Sequence, residues 1–361
     1  MSTTSTTPAY GSSSLGPGPQ RPGAGEGGAA EQLARRSHTP SQRLQHLLHG
    51  NPFLSAAVIL VLTAVAFTML NGRFSDPRTM SLLVQQTAVV AALAIGQTLI
   101  ILTAGIDLSV GAIAILSMMV MAKLSSDHGV PGLLALLIGI AVGTLAGGLN
   151  GLLVTRIKLP PFIVTLGTLS IFTALVLLYT KGQSVQSPDM PDLLNWTGTT
   201  YAFGDFRVTT GVLLVLAMYL VVSFALGQTA WGRHVYAVGD DADAARLVGI
   251  SVPRVLLSVY AVAGLVYGIA AWVLIGRAGN ASPNAIADAN LESITAVVIG
   301  GTSLFGGRGA LVGTLLGALI VQSFSVGLSL ASVDDQYRLL AVGVLVIVAV
   351  SVDQWIRRVK A

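Results

Sequence analysis

Between Pro52 and Val352 the chain runs repeatedly through long apolar stretches that carry no charged side chain. Stretches of roughly 18 or more such residues read as membrane-spanning helices, because in hydrocarbon a helix satisfies all of its own backbone groups. Ten apolar segments can be drawn, at about 53–71, 80–104, 107–123, 131–154, 159–180, 209–228, 253–277, 293–305, 309–331 and 338–356. The third and eighth fall short of the roughly 20 residues of a full span and read as broken or re-entrant. Only the four residues Ala104 to Asp107 (AGID) separate the second segment from the third, as in a discontinuous pair. The expected fold is an all-α, polytopic integral membrane bundle of about ten segments over residues 51–361.

Composition agrees: 10% of residues are charged and 53% are hydrophobic, where a soluble chain would carry about a quarter charged residues. The first fifty residues differ, being rich in Ser, Thr, Gly and Pro and then basic. Such a composition builds no packed core and predicts a disordered cytoplasmic tail over 1–50. The first apolar segment is full length and follows this long tail, which reads as a retained helix and not as a cleaved signal peptide. The chain has no cysteine, which excludes disulfides, thiolate metal sites and a cysteine nucleophile. His38, His46, His49, His128 and His234 lack metal-ligand spacing, so neither a metal nor another cofactor is expected. The net charge of +4 gives no reason to expect nucleic acid, since basic residues in membrane proteins mainly fix orientation.

Arg35, Arg36 and Arg43 precede the first segment and place the N-terminus in the cytoplasm. Counted over ten spans, Arg156 with Lys158, then Arg233, Arg246 and Arg254, then Arg308, then Arg357, Arg358 and Lys360 fall inside as well. Arg73, Arg78, Lys181 and Arg277 run against the rule and are outnumbered. Both termini are therefore expected in the cytoplasm. The stretches 102–116 and 299–319 each place a Gly-rich break after an apolar run and resume with small residues, which suggests an internal repeat of the kind common in transporters.

Asp107 is the most unusual residue of the first half, since a carboxylate between apolar segments is costly unless paired, hydrated or capping. Two compatible readings stay open. It caps the helix that follows, or it belongs to a polar break in a translocation path with Gln97, Asn150 and Thr165. Gly143, Gly147, Gly148 and Gly151, and Gly309, Gly313 and Gly317, recur at helix-packing spacing. The phosphate-cradling pattern G-x-x-x-x-G-K-[ST] does not occur, and no catalytic residue is predicted. Energy for transport would come from a gradient or from another subunit.

The loop at about 229–253 carries Arg233, His234, Asp240, Asp241, Asp243, Arg246 and Arg254 between two apolar runs. Within it, Asp240, Asp241 and Asp243 suit the N-terminal end of a short helix. Ala244, Ala245 and Arg246 favour its body, and Gly249 suits its end. This is either a polar loop or a cytoplasmic helix shaped to dock into a partner's groove.

DAARLVG at 243–249 resembles the E-A-A-x-x-x-G signature of permease subunits in bacterial ATP-binding-cassette importers, with Asp243 in place of Glu. LTAGIDLSVGAIAIL, GRHVYAVGDDADAARLVGISV and ESITAVVIGGTSLFGGRGALVGTLLGALIV, with other stretches from Leu82 to Val352, resemble the monosaccharide permeases of the ribose, xylose and fructose type. The resemblance implies a channel-forming subunit that moves a simple sugar and has no enzyme activity of its own. It implies a second copy of the chain, a separate cytoplasmic ATPase and an extracytoplasmic sugar-binding protein as partners. Asp240, Asp243, Ala244, Ala245, Arg246 and Gly249 would then form the helix that couples to the ATPase. The alternatives are an importer of the same class for a nucleoside, a furanone signal or a branched-chain amino acid, an ion-coupled secondary transporter, and a membrane scaffold.

Overall fold

The computed structural model describes residues 52–286, 288–334, 336–344, 347 and 351; the predicted tail at 1–50 and most of the tenth segment lie outside the described residues. The helices are α1 (Pro52–Leu70), α2 (Pro77–Leu102), α3 (Val110–His128), α4 (Gly132–Leu152), α5 (Pro161–Thr180), the single turn α6 (Asp192–Asn195), α7 (Thr210–Gln228), α8 (Ala230–Asp240), α9 (Ala242–Leu247), α10 (Val252–Ala278), α11 (Ala289–Ile299) and α12 (Leu311–Leu330). Residues 336–344 are helical as well. Pro77, Pro161 and Pro253 stand in first turns, where a missing N–H forfeits no helical bond. Among the described residues seven helices are long and apolar enough to cross a membrane: α2, α3, α4 with its π-helical extension to Ile157, α5, α7, α10 and α12. Leu54–Leu70 of α1 and all of α11 are shorter apolar helices. The chain is a polytopic helical membrane protein.

Two expected segments change shape. The third is not broken: α3 runs for 19 residues from Val110. The eighth is short because α11 stops at Ile299. The apolar-looking residues beyond it include Gly301, Gly306, Gly307 and Gly309, all with positive φ, a backbone that glycine adopts readily and that ends a helix.

α2 lies at the centre and packs on α10, α12, α11 and α7. Every residue from Thr87 to Leu102 is buried, and a helix enclosed on all sides is apolar on all sides. α4 and α10 form the closest pair. A Cβ on Gly143 would lie 2.7 Å from the Gly264 carbonyl oxygen, one on Gly151 would lie 2.9 Å from the Tyr260 side chain, and one on Gly147 would run into the Tyr260 carbonyl. Small residues permit this approach, and in a bilayer close packing of this kind holds helices together. Gly148 has nothing within 4 Å of the same position, so it plays no part. In α12, Gly313 and Gly317 press on the Gly300 and Ala296 carbonyls of the α11 end. Gly309 precedes that helix with φ +152° and is a loop residue, so the G-x-x-x-G pattern contributes one helical pair.

At one end, α5 and α7 are joined by a small cap. Strand β1 (Val185–Gln186) pairs antiparallel with β4 (Asn280–Ala281), and β2 (Thr200–Phe203) with β3 (Phe206–Thr209). The Trp272 indole N–H of α10 donates to the Leu193 carbonyl, and the Thr197 hydroxyl donates to the Trp272 carbonyl.

The glycine seam predicts a contrast between neighbours. Gly147→Val overfills the α4–α10 contact and should lose about 1–3 kcal/mol of stability or more, whereas Gly148→Val should change it by less than about 0.5 kcal/mol. Thermal unfolding of the purified protein in detergent checks this; equal melting temperatures would refute the seam.

Candidate functional site

The polar groups converge on the turn between α2 and α3. Asp107 is buried, and its Oδ1 accepts from the Ser109 backbone N–H at 2.7 Å and the Ser109 hydroxyl at 2.6 Å. The residue immediately before α3 is Ser109, so Asp107 holds the approach to the helix rather than the cap position itself. Asn150 of α4 donates to the Ser109 Oγ at 2.8 Å, and Thr165 of α5 donates to the Ile106 carbonyl at 3.0 Å. Three of the four predicted path residues therefore meet on one turn. Gln97 is also buried, on α2, but neither its amide oxygen nor its nitrogen has a hydrogen-bond partner.

The sequence reading missed four groups here. Ser109 bridges Asp107 and Asn150. Tyr260 and Tyr267, both buried on α10, stand within electrostatic range of Asp107. Asn290, in the first turn of α11, accepts from the Gly111 N–H at 2.8 Å and so ties the starts of α3 and α11 together. Two tyrosines inside the apolar run 253–277 were the available signal, since a buried phenol usually finds a polar partner. The carboxylate forms no ion pair; among the described residues the ion pairs are Arg78–Asp205, Lys123–Asp127 and Arg246–Asp243. A neutral polar setting around one acid suits hydroxyl groups better than a second ion.

The polar loop at 229–253 folds into two helices, not one. In α8, Trp231 donates through its indole N–H to the Ser258 Oγ of α10 at 2.8 Å, and Tyr236 donates to the Gly309 carbonyl at 2.9 Å. Its buried residues include Val235 and Val238, so one face is anchored on the bundle. α9 is shorter than the predicted Asp240–Gly249 helix. Asp241 caps it, accepting from the Asp243 and Ala244 N–H groups at 2.9 Å each, as the N-cap preference requires. Gly249, at φ +87° with open space around it, follows the end. Asp240, Asp243, Ala244, Arg246 and Gly249 are exposed, whereas Ala245 is buried against the body. Leu247 and Val248 are 90% and 76% exposed.

α8 also touches the bundle's two helix breaks. The Gly307 N–H donates to the Leu102 carbonyl at 3.0 Å, closing the break at 300–310 onto the one at 103–109. Gly239 lies against both: a Cβ there would strike the Leu102 carbonyl and come within 2.7 Å of the Gly307 nitrogen. The stretches 102–116 and 299–319 share a plan of helix, break and helix, and their breaks meet under the end of α8.

Residues 79–350 match the family described as branched-chain amino acid transport system / permease component. The chain is 48% identical over 324 residues to the fructose import permease protein of Rhizobium meliloti, covering 89% of this chain and 90% of that one. It is 37% identical over 309 residues to the ribose import permease protein of Bacillus subtilis, covering 84% and 92%. It is 36% identical over 301 residues to the ribose import permease protein of Escherichia coli K12, covering 83% and 92%. No solved structure matches. With a family match over most of its length and such relatives, a multi-pass helical bundle and paired helix breaks, the chain belongs to the branched-chain-type family of transport-system permease components.

Proposed function

We propose that the chain is the channel-forming subunit of an ATP-binding-cassette importer in a bacterial inner membrane and moves a monosaccharide of the fructose or ribose class into the cell. The observation that carries this reading is the 48% identity to a fructose import permease over 324 residues. Two copies of the chain would form the pathway, an extracytoplasmic protein would present the sugar, and a separate cytoplasmic ATPase would drive it. Arg233, Arg246, Arg254 and Arg308 belong to or flank the α8–α9 segment and the break it contacts, which supports placing this end, and both termini, in the cytoplasm.

The ATPase seats on α9. Its capped turn presents Asp243, Ala244 and Arg246, and the exposed Leu247 and Val248 supply the apolar contact that a helix-in-groove interface needs. Movement of α9 passes through α8 to the joined breaks, by way of Gly239 on Leu102 and Tyr236 on Gly309. The turn at Asp107 is bonded to α4 and α5, and the start of α3 is bonded to the start of α11. A displaced break therefore shifts four helices together. Asp107, Asn150, Thr165 and Gln97 form the polar part of the path that such a shift opens.

Leu247→Asp should lower co-purification of the ATPase and ATP-driven uptake at least tenfold, about 1.4 kcal/mol or more of docking energy, with membrane insertion unchanged. Wild-type association and uptake in this variant would remove α9 as the docking element.

Asp107→Asn retains an acceptor for the Ser109 groups and should fold, while uptake falls because a charge-assisted bond is roughly twice as strong as a neutral one. Asp107→Leu loses both bonds to Ser109, which should lower stability by about 1–3 kcal/mol and abolish uptake. Thermal unfolding and uptake measured on both variants decide it; full uptake in Asp107→Leu would take Asp107 out of the path.

A further inference from the structure

We propose that the groove between α7 and α10 is a binding site for one anionic phospholipid of the leaflet on the α8–α9 side, with an acyl chain along the two helices and the phosphate on Arg254. The site needs only a membrane-spanning bundle; the importer reading adds that this leaflet is the cytoplasmic one. The groove holds about 580 Å³, and every residue that lines it is apolar. Its α7 wall extends from Leu214 to Ala225, its α10 wall carries Val262, Leu265 and Ile269, and Trp231 of α8 closes one end.

Length decides what fits. From Leu214 to Ala225, and likewise from Ser258 beside Trp231 to Ile269, the helices rise about 16 Å at roughly 1.5 Å per residue. That is close to half of the roughly 30 Å hydrocarbon core of a bilayer, the reach of one tail from its headgroup. A helix of a neighbouring protein crosses the whole core and would need a groove about twice as long. The mouth supplies the headgroup chemistry. Trp231 donates its indole N–H to the Ser258 Oγ at 2.8 Å, and an amphipathic indole suits the depth at which hydrocarbon gives way to headgroups. Arg254, Ser258, Val262, Leu265 and Ile269 follow one another at spacings of three and four residues, so they share one face of α10. Arg254 therefore stands one turn beyond the indole contact, at the mouth. It is exposed and forms no ion pair among the described residues. A guanidinium takes phosphate oxygens through paired N–H donors. Arg233, also exposed and two residues after Trp231, adds positive charge at the same end, and basic groups between membrane helices select anionic headgroups. An apolar wall with cations at one end matches the layout of a phospholipid, tail and then phosphate.

Native mass spectrometry of the full-length protein released from detergent reads bound lipid and subunit number together. Dioleoylphosphatidylglycerol and the zwitterionic dioleoylphosphatidylcholine are the probes. The first phosphatidylglycerol should bind at least about fivefold more tightly than phosphatidylcholine. Arg254→Gln should weaken phosphatidylglycerol about fivefold. Arg207→Gln removes the same charge just before the opposite end of α7 and should leave binding unchanged. Ala217→Trp fills the groove from an exposed position on its wall and should weaken both lipids at least about tenfold. Equal affinity for the two lipids, or equal losses from Arg254→Gln and Arg207→Gln, overturns the headgroup site. Undiminished lipid binding by Ala217→Trp places the lipid outside the groove and overturns the proposal. A dimer that this variant splits, with lipid binding unchanged, assigns the groove to a second copy instead. Failure of ATP-driven sugar uptake with the expected lipid pattern intact removes the importer reading and leaves the site standing.

Discussion

Buried backbone that leaves a helix must find its hydrogen-bond partners within the protein. The structure is organised around two such places, the breaks at 103–109 and 300–310. Each meets the demand with bonds that reach across the bundle. The Leu102 carbonyl takes the Gly307 N–H, the Ile106 carbonyl takes the Thr165 hydroxyl, and the Gly111 N–H is taken by Asn290. A loop that must be satisfied in this way cannot be independent of its neighbours. The same bonds that make the breaks tolerable join α3, α5 and α11 to them.

The surrounding helices accept this arrangement because they pack through backbone. The seam of Gly143, Gly147 and Gly151 against Gly264 and Tyr260 brings α4 and α10 close enough for Asn150 and the two tyrosines to approach the Asp107 turn together. The carboxylate is held there by the Ser109 hydroxyl and N–H, with no ion-pair partner among the described residues. For a permease of a neutral, hydroxylated solute that is a coherent interior, since a buried ion pair would hold the turn more rigidly and would favour charged cargo.

Much of this plan is legible in the sequence, and the gaps have physical causes. Charge-free runs locate the long helices, because hydrocarbon imposes one solution on the backbone. Asp241 and Gly249 mark the ends of α9 through the chemistry of a cap and of a positive φ. The helix α8 was not legible. Its residues Gly232 to Asp240 mix apolar and polar side chains, and only the packing of Val235 and Val238 on the bundle separates an amphipathic helix from a loop. The short α11 was hidden because glycines score as apolar while their backbone refuses the helix. The meeting of Asp107, Asn150 and Thr165 required knowing which helices are neighbours, since these residues lie 43 and 58 positions from Asp107. Glu292 falls just before the expected segment 293–305, although it belongs to α11 and is held by Gln322 thirty residues further on.

The junction under α8 is made almost entirely of glycine and carbonyl: Gly239 on Leu102, Gly306 on Gly239, and Gly307 on both Leu102 and Asp240. A contact of this type has no side chain to truncate. Scanning the chain with alanine, which reveals function by subtraction, passes over such a joint or adds bulk to it. Its tolerance to change is one-sided, since atoms can be added but none removed. Under the importer reading, the joint that would carry force between membrane and cytoplasm is thus recorded in the sequence by the absence of side chains.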